Sequence, residues 1–242
     1  MRTLVIGDIH GGCKALLQVL EKAAVTPQDR LIFLGDYVDG WSESAQTVEK
    51  LLELAISNTC VFIRGNHDLW CGLWLEKGAT NPIWLAHGGK ETMTSYIETS
   101  LLTDNRHKAF FNELQDYYID SENRLFLHAG FTSMHGVQKE SQAANYYFDR
   151  TLWETAMLAE NIAPEILEKN PPQRFVHYKE IYIGHTPTTN YQEVTPMKAY
   201  NVYNVDTGAA FKGKLTIMDI DSKEFWQSDL LPSLYPDEKG RN

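Results

Sequence analysis

The sequence predicts an α/β fold with a parallel core and a second, mixed sheet, and three observations carry that prediction. Three apolar runs, TLVIGDIHG (3–11), LIFLGDYVDG (31–40) and VFIRGNHD (61–68), each stop at Gly and then present Asp, Asn or His. Helical text separates them, and this alternation implies right-handed crossovers and parallel strands. Later apolar runs lack helices between them, which points to a second sheet packed on the first.

Taken in order, strand 3–7 leads into CKALLQVLEKAA, where Leu16, Leu20, Ala23 and Ala24 share one helical face. A polar loop with Pro27 precedes strand 31–34. SESAQTVEKLLELAIS then sets Val48, Leu51, Leu52 and Ala55 on one stripe, with Ser42 or Ser44 as its cap. Strand 60–64 follows, and residues 69–120 read as irregular helix rich in Trp. RLFLHAG (124–130) predicts a fourth strand ending at His128, and EIYIGHT (180–186) a fifth ending at His185. YNVYNVDTG (200–208) and KLTIMDID (214–221) read as two strands paired about a Gly turn. One domain is expected over 1–235, with 136–175 an insertion at the rim of the site and 236–242 a frayed tail.

Composition narrows the function. The 242 residues carry 22 basic and 32 acidic side chains, a net charge of −10, which argues against a nucleic-acid groove. No apolar run of about 18 residues exists, so no transmembrane helix and no membrane partner is expected. The opening MRTLVIGD is interrupted by Asp8 too soon for a signal peptide. Cys13, Cys60 and Cys71 form no CxxC pair, which suggests reduced thiols, a cytoplasmic setting and no structural zinc.

The polar residues at the strand ends form one constellation: Asp8, His10, Asp36, Asp39, Asn66, His67, His128 and His185. In parallel sheets ligands gather beyond the carboxyl ends of the strands. The donors are oxygen and nitrogen, with no thiolate, which suits Mn, Fe or Zn in an open site. Asp8 and His10, two apart on extended backbone, point the same way and make a first half-site. Asn66, His128 and His185 come from three strands and supply a second. A carboxylate can give one oxygen to each of two cations, and Asp36 is central to both groups.

GDIHG, GDYVDG, RGNHD, HAG and GHT occur in an order and approximate spacing that resembles the phosphoprotein phosphatase branch of the calcineurin-like metallophosphoesterases. The motifs span residues 7–186, with VDTGA (205–209) following as in that family. Any one Gly-Asp is ordinarily a turn, but five ordered elements, each after a strand, are specific. The resemblance implies an α/β sandwich of two mixed β-sheets flanked by helices. It implies two divalent metal ions, Mn or else Fe or Zn, that activate water for in-line attack on phosphorus. By the same resemblance Asp8, His10 and Asp36 hold one ion, and Asp36, Asn66, His128 and His185 the other. His67 is the general acid, oriented by Asp39.

The resemblance breaks at one point. Where the family carries GDxVDRG this chain has GDYVDGW, so Gly40 stands at the position of the phosphate-clamping arginine. Arg150, in FDRTLW, is the expected substitute, and Arg64, beside Asn66, is a second phosphate-binding candidate at a position expected to be structural. His87-Gly88-Gly89 mimics the HAG motif but leads into a helix, so the ligand is assigned to His128. Asp68 is expected to brace its motif, Asp206 to accept a hydrogen bond near the metals, and His107, His135 and His177 to be solvated.

The expected activity is a metal-dependent phosphomonoesterase of the Ser/Thr protein phosphatase kind, acting on a phosphorylated protein or small phosphoester. Its rival is hydrolysis of a dinucleoside polyphosphate such as diadenosine tetraphosphate on the same centre. A non-catalytic binding protein on the same fold would have lost ligands or the acid, whereas this chain keeps His67, Asp39 and all six metal positions.

Overall fold

The computed structural model describes residues 1–241. Among them ten strands form two five-stranded sheets. The strands are β1 (Thr3–Ile6), β2 (Arg30–Phe33), β3 (Thr59–Phe62), β4 (Tyr117–Ile119), β5 (Arg124–Leu127), β6 (Glu180–Ile183), β7 (Met197–Ala199), β8 (Val202–Asn204), β9 (Thr216–Asp219) and β10 (Phe225–Gln227). The first sheet runs β10-β9-β1-β2-β3, with β1, β2 and β3 parallel and β9 and β10 antiparallel to their neighbours. The second runs β4-β5-β6-β8-β7, with β5, β6 and β8 parallel. Both sheets are mixed, as expected.

Alternation along each strand makes a four-layer sandwich, because successive side chains point to opposite faces. Val5, Ile32, Val61, Phe126, Tyr182 and Met218 pack between the sheets. Leu4, Ile6, Leu31 and Phe33 face outward and are covered by Leu16 and Val19 of α1 (Cys13–Lys22) and Val48 and Leu51 of α2 (Ser44–Ser57). On the far side Leu125, Leu127, Ile181 and Ile183 are covered by Phe131, Tyr147, Trp153 and Phe175. Residues 136–175, expected at the rim, therefore supply much of the outer core of the second sheet.

Four further expectations are corrected. The runs at 200–208 and 214–221 do not pair with each other: β8 joins β6 in the second sheet, while β9 joins β1 in the first. Each finds an open strand edge in a different sheet, and the chain between them crosses the sandwich. Neither Ser42 nor Ser44 caps α2; Ser42 donates to Glu238, and Ser44 Oγ pairs with Thr92 Oγ1. Within that helix Leu54 is buried and Ala55 exposed, so the stripe turns slightly from the one predicted. His107 is not solvated but fully buried, held by Tyr96 at 2.9 Å and Glu49 at 2.9 Å.

Residues 236–241 are also not frayed. Arg241 N donates to Ala210 O at 2.9 Å, and Glu238 accepts from Ser42. Asn242, the last residue of the expected 236–242 tail, lies outside the described residues. No helix among the described residues is long and apolar enough to cross a membrane, and all three cysteines are free.

Candidate metal centre

The three first-sheet motifs turn sharply just past their strands. Several of the residues they present adopt left-handed backbone: His10 (φ 54°), Asp36 (φ 53°) and Asp39 (φ 72°), joined by His185 (φ 66°) from the second sheet. Non-glycine residues hold such conformations only where the surroundings over-determine them, and Asp and His tolerate them best. Gly65 and Gly184 leave room for the carboxylates: a Cβ on Gly65 would lie 2.1 Å from Asp36 Oδ1, and one on Gly184 2.0 Å from Asp8 Oδ1.

The third motif does more than end a strand, because Asn66 opens the helix α3 (Asn66–Lys77). Asp68, on its first turn, accepts from the amides of Gly65 at 2.8 Å, Asp36 at 2.7 Å and Tyr37 at 2.9 Å. It braces two motifs against each other, as expected, and takes no place in the cleft.

All six expected metal positions converge. His10 Nδ1 bonds the Asp39 carbonyl at 2.8 Å, which leaves Nε2 facing inward 3.5 Å from Asp36 Oδ2. His128 is set likewise, with Nδ1 on the Leu34 carbonyl at 2.9 Å and Nε2 3.4 Å from the same Asp36 Oδ2. A backbone carbonyl on one ring nitrogen fixes the tautomer that leaves the other free to ligate. Asn66 Oδ1 at 3.3 Å and His185 Nδ1 at 3.2 Å complete the group around His128 Nε2. Asp8 Oδ2 accepts the His185 amide at 3.0 Å.

Asp36 bridges the two groups differently from the expectation. A single oxygen, Oδ2, faces both His10 and His128, because Oδ1 accepts the His67 amide at 3.0 Å.

The donors fit divalent cations. Among the described residues Asp8 Oδ1 and His185 Nε2 are buried without a hydrogen-bond partner, and two His/Asp clusters, His10-Asp36-His67 and Asp36-His128-His185, bring their ligand atoms within 4.8 Å of one another. Burial, then the nearby charge of Asp206, pushes the Asp8 carboxyl well up from its usual range. Burial likewise lifts Asp206 to about 6. Burial opposes the charge of Asp36 as well, but the His128 imidazole beside it more than offsets this and holds its carboxyl well down. Carboxylates crowded in this way are what a bound cation relieves. A third acidic cluster, Glu49-Asp104-His107, is already bridged by Arg106 at 2.6 and 2.7 Å and reads as a surface ion-pair network.

His67 stands beside the donors on α3. Its Nδ1 meets Asp39 Oδ2 at 2.6 Å, and Asp39 is itself held by Trp84 Nε1 at 2.7 Å and Thr92 Oγ1 at 2.6 Å. The ring is thereby oriented with Nε2 left over for the cleft. Burial pushes the His67 imidazole down to about 3. Trp84 and Thr92 were missed in the sequence, since neither sits at a strand end.

The two predicted arginines separate. Arg150 lines the cleft together with Asp8, His67 and His185. Arg64 does not: its guanidinium donates to the carbonyls of Phe111 at 3.2 Å and Leu114 at 3.0 Å, and pairs with Asp116. It ties β3 to the end of helix Asn105–Glu113, which corrects its assignment as a phosphate ligand. Arg241, unsuspected, lines the cleft as well. His87 is exposed and bonds the Ile83 carbonyl at 2.7 Å, in keeping with a structural turn.

The family model for calcineurin-like phosphoesterase matches residues 1–207. A curated relative, the bis(5'-nucleosyl)-tetraphosphatase PrpE [asymmetrical] of Anoxybacillus flavithermus, is 26% identical over 234 residues, covering 88% of each chain. Among solved structures, a putative diadenosine tetraphosphatase superposes with a TM-score of 0.62 at 17% identity, over 93% of this chain and 92% of that one. A protein serine/threonine phosphatase from Saccharomyces cerevisiae gives a TM-score of 0.64 at 14% identity, over 100% of this chain and 83% of that one. At those identities the two structures speak for the fold alone.

Proposed function

Since the chain belongs to the calcineurin-like phosphoesterase family, we propose that it is a dimetal hydrolase that cleaves a phosphoanhydride of a dinucleoside polyphosphate, in a cytoplasmic setting. The observation that carries the chemistry is the single oxygen Asp36 Oδ2 standing 3.5 Å from His10 Nε2 and 3.4 Å from His128 Nε2. That arrangement suits a carboxylate shared between two ions. Asp8, His10 and Asp36 would hold one, and Asp36, Asn66, His128 and His185 the other. Divalent ions there, with Mn²⁺ the first choice for oxygen and imidazole donors, would lower the pKa of water and neutralise phosphoryl charge.

The chain's own residues do the rest. His67, fixed through Nδ1 by Asp39, offers Nε2 to hold or pass a proton at the leaving oxygen. Arg150 brings a cation to the same cleft, where phosphate oxygens would lie. The preference for an anhydride is supported by relatives named bis(5'-nucleosyl)-tetraphosphatase that align along most of both chains. Phosphoprotein hydrolysis is the second reading, favoured by the ordered GDYVDG and RGNHD motifs.

A direct comparison separates them. Protein stripped of metal and reloaded with Mn²⁺ is offered diadenosine tetraphosphate and a phosphoserine peptide, with nucleotide products resolved by chromatography. Turnover of the dinucleotide well above the peptide is expected. Turnover of the peptide alone would overturn the anhydride assignment and restore the second reading.

A further inference from the structure

The departure of GDYVDGW from GDxVDRG removes an arginine at Gly40 and adds an indole at Trp41. Both changes are answered by one distant segment. The Trp41 ring is fully buried and stacks on Tyr235, centroids 5.2 Å apart, while its Nε1 donates to Ala209 O at 2.7 Å. Gly240 lies against the edge of that ring, where a Cβ would fall 2.6 Å from Cζ2. Next door, Ser42 N and Oγ donate to the Glu238 carboxylate at 2.9 and 2.7 Å. Tyr235 and Glu43 share a further hydrogen bond. The backbone of 235–241 is thus seated on the loop that lost its arginine.

From this seat the Arg241 side chain runs over Gly40. A Cβ on Gly40 would stand 3.2 Å from Arg241 Cγ and 3.6 Å from Cδ, and the Gly40 backbone (φ 129°) is one that side-chain-bearing residues rarely adopt. The guanidinium lies over the Phe211 ring, 5.3 Å from its centroid, and lines the cleft with Asp8, His10 and His67. Among the described residues its Nε is buried without a hydrogen-bond partner, and no carboxylate pairs with it. An arginine held this firmly, with a buried donor left over beside a metal-binding cleft, is placed for an anion.

We propose that Arg241 is the phosphate-gripping residue of this site, reaching from 235–241 the space that Gly40 leaves bare, with Trp41 as its anchor. The side chain would donate to non-bridging oxygens of the phosphoryl group under attack and of the same group once it has become the terminal phosphate of a product. Arg150, exposed and acting beside His185, would serve a neighbouring phosphate. The inference rests on the phosphoesterase reading but not on the choice between anhydride and phosphomonoester.

The test is calorimetric titration of inorganic phosphate into Mn²⁺-loaded protein, with bound manganese counted separately. Arg241→Ala is expected to weaken phosphate binding about 10- to 100-fold while the manganese count stays the same. Arg241→Lys should fall between, since an ammonium keeps the charge and loses the fork. Gly40→Ala, which pushes on Cγ, should weaken phosphate binding in the parent protein and add nothing in the Arg241→Ala background. An independent reading is phenylglyoxal labelling followed by mass spectrometry: phosphate should protect Arg241. Unchanged phosphate affinity in Arg241→Ala, in a parent that binds phosphate and turns over substrate, would overturn the clamp alone. A manganese-loaded parent that neither binds phosphate nor hydrolyses any phosphoester would overturn the phosphoesterase reading, and the clamp with it.

Discussion

In the first sheet the loops after β1, β2 and β3 hold one another. Asp68 gathers three amides from two motifs, Asp39 gathers His67, Trp84 and Thr92, and the Asp36 carbonyl accepts from Ile9 and His10 at 3.0 and 2.9 Å. The loops after β5 and β6 share one backbone bond, from Gly184 N to the His128 carbonyl at 2.8 Å, and lean on the first sheet for the rest. His128 is oriented by the Leu34 carbonyl and His185 by the Asp8 carboxylate, both belonging to the first sheet. One half of the site is a self-bracing frame, and the other half docks onto it. Damage to the first should therefore spread to the second, and damage to the second should stay local.

The strongest way to break this picture is at Asp36, where both halves meet. Asp36→Asn should drop bound manganese from two equivalents to one or none by atomic absorption, with the largest loss of turnover of any single change. Two equivalents retained would mean that the oxygen is not shared.

His67→Ala comes next and sharpens the substrate question. With an alkyl phosphomonoester the loss should be about 10²–10⁴-fold in kcat, the usual worth of a general acid. With a dinucleotide it should be smaller, because a nucleotide phosphate with a pKa near 6 leaves with little help. Equal losses on both would remove His67 from proton transfer to the leaving group.

Asp68→Asn compares the halves directly. It disturbs three amide contacts in the frame, so manganese affinity should fall about 10- to 100-fold, with a melting temperature lower by several degrees. Among the described residues Asp206→Asn disturbs one side-chain hydrogen bond, from the Gly208 amide at 2.9 Å, and removes the charge that presses on Asp8. Its melting temperature should barely move. Equal destabilisation by both would sink the division into frame and dock.

The smallest effect is expected at Glu140, in the loop after β5. Partial burial pushes its carboxyl up, but the amides of Thr132 and Gln142 outweigh that and hold it at about 2. A carboxyl held below its unfolded value stabilises the fold above that value and loses the effect as pH falls through about 2. Glu140→Gln should lower the melting temperature by about 2–4 °C at pH 7. The gap should shrink below about pH 4.5 and close near pH 2, as followed by thermal unfolding across pH.

The frame was legible in the sequence because its parts are contiguous: a strand, a Gly and one or two polar residues fall within a few positions of each other. Asp8, His10, Asp36, Asp39, Asn66 and His67 could all be found that way, and so could the strands that carry them. His128 and His185 followed from the same strand-end logic. What stayed hidden depends on contacts between distant residues. β8 and β9 were seen as strands, yet the pattern says nothing about which sheet offers an open edge. Trp84 and Thr92 act only through Asp39. Residues 236–241 are polar and short, so they read as solvated until Trp41 and Glu238 show where they dock. Arg64 misled for the opposite reason, since it is near in sequence and turned away in space.

The pairing of β9 with β1 bears on how this molecule assembles. Leu4 lies opposite Asp219, and Ile6 opposite Ile217, so residues near the beginning wait for residues emitted more than two hundred positions later. Until then one edge of β1 has no partner, although the strand already adjoins β2. Pairings between such distant segments close slowly, and an unpaired edge invites association with other chains in the meantime. Refolding from denaturant should accordingly show the Gly7 amide, which bonds the Thr216 carbonyl at 3.1 Å, protected late, after those of β5 and β6. A chaperone that shields that edge would raise the yield more than one that speeds helix formation.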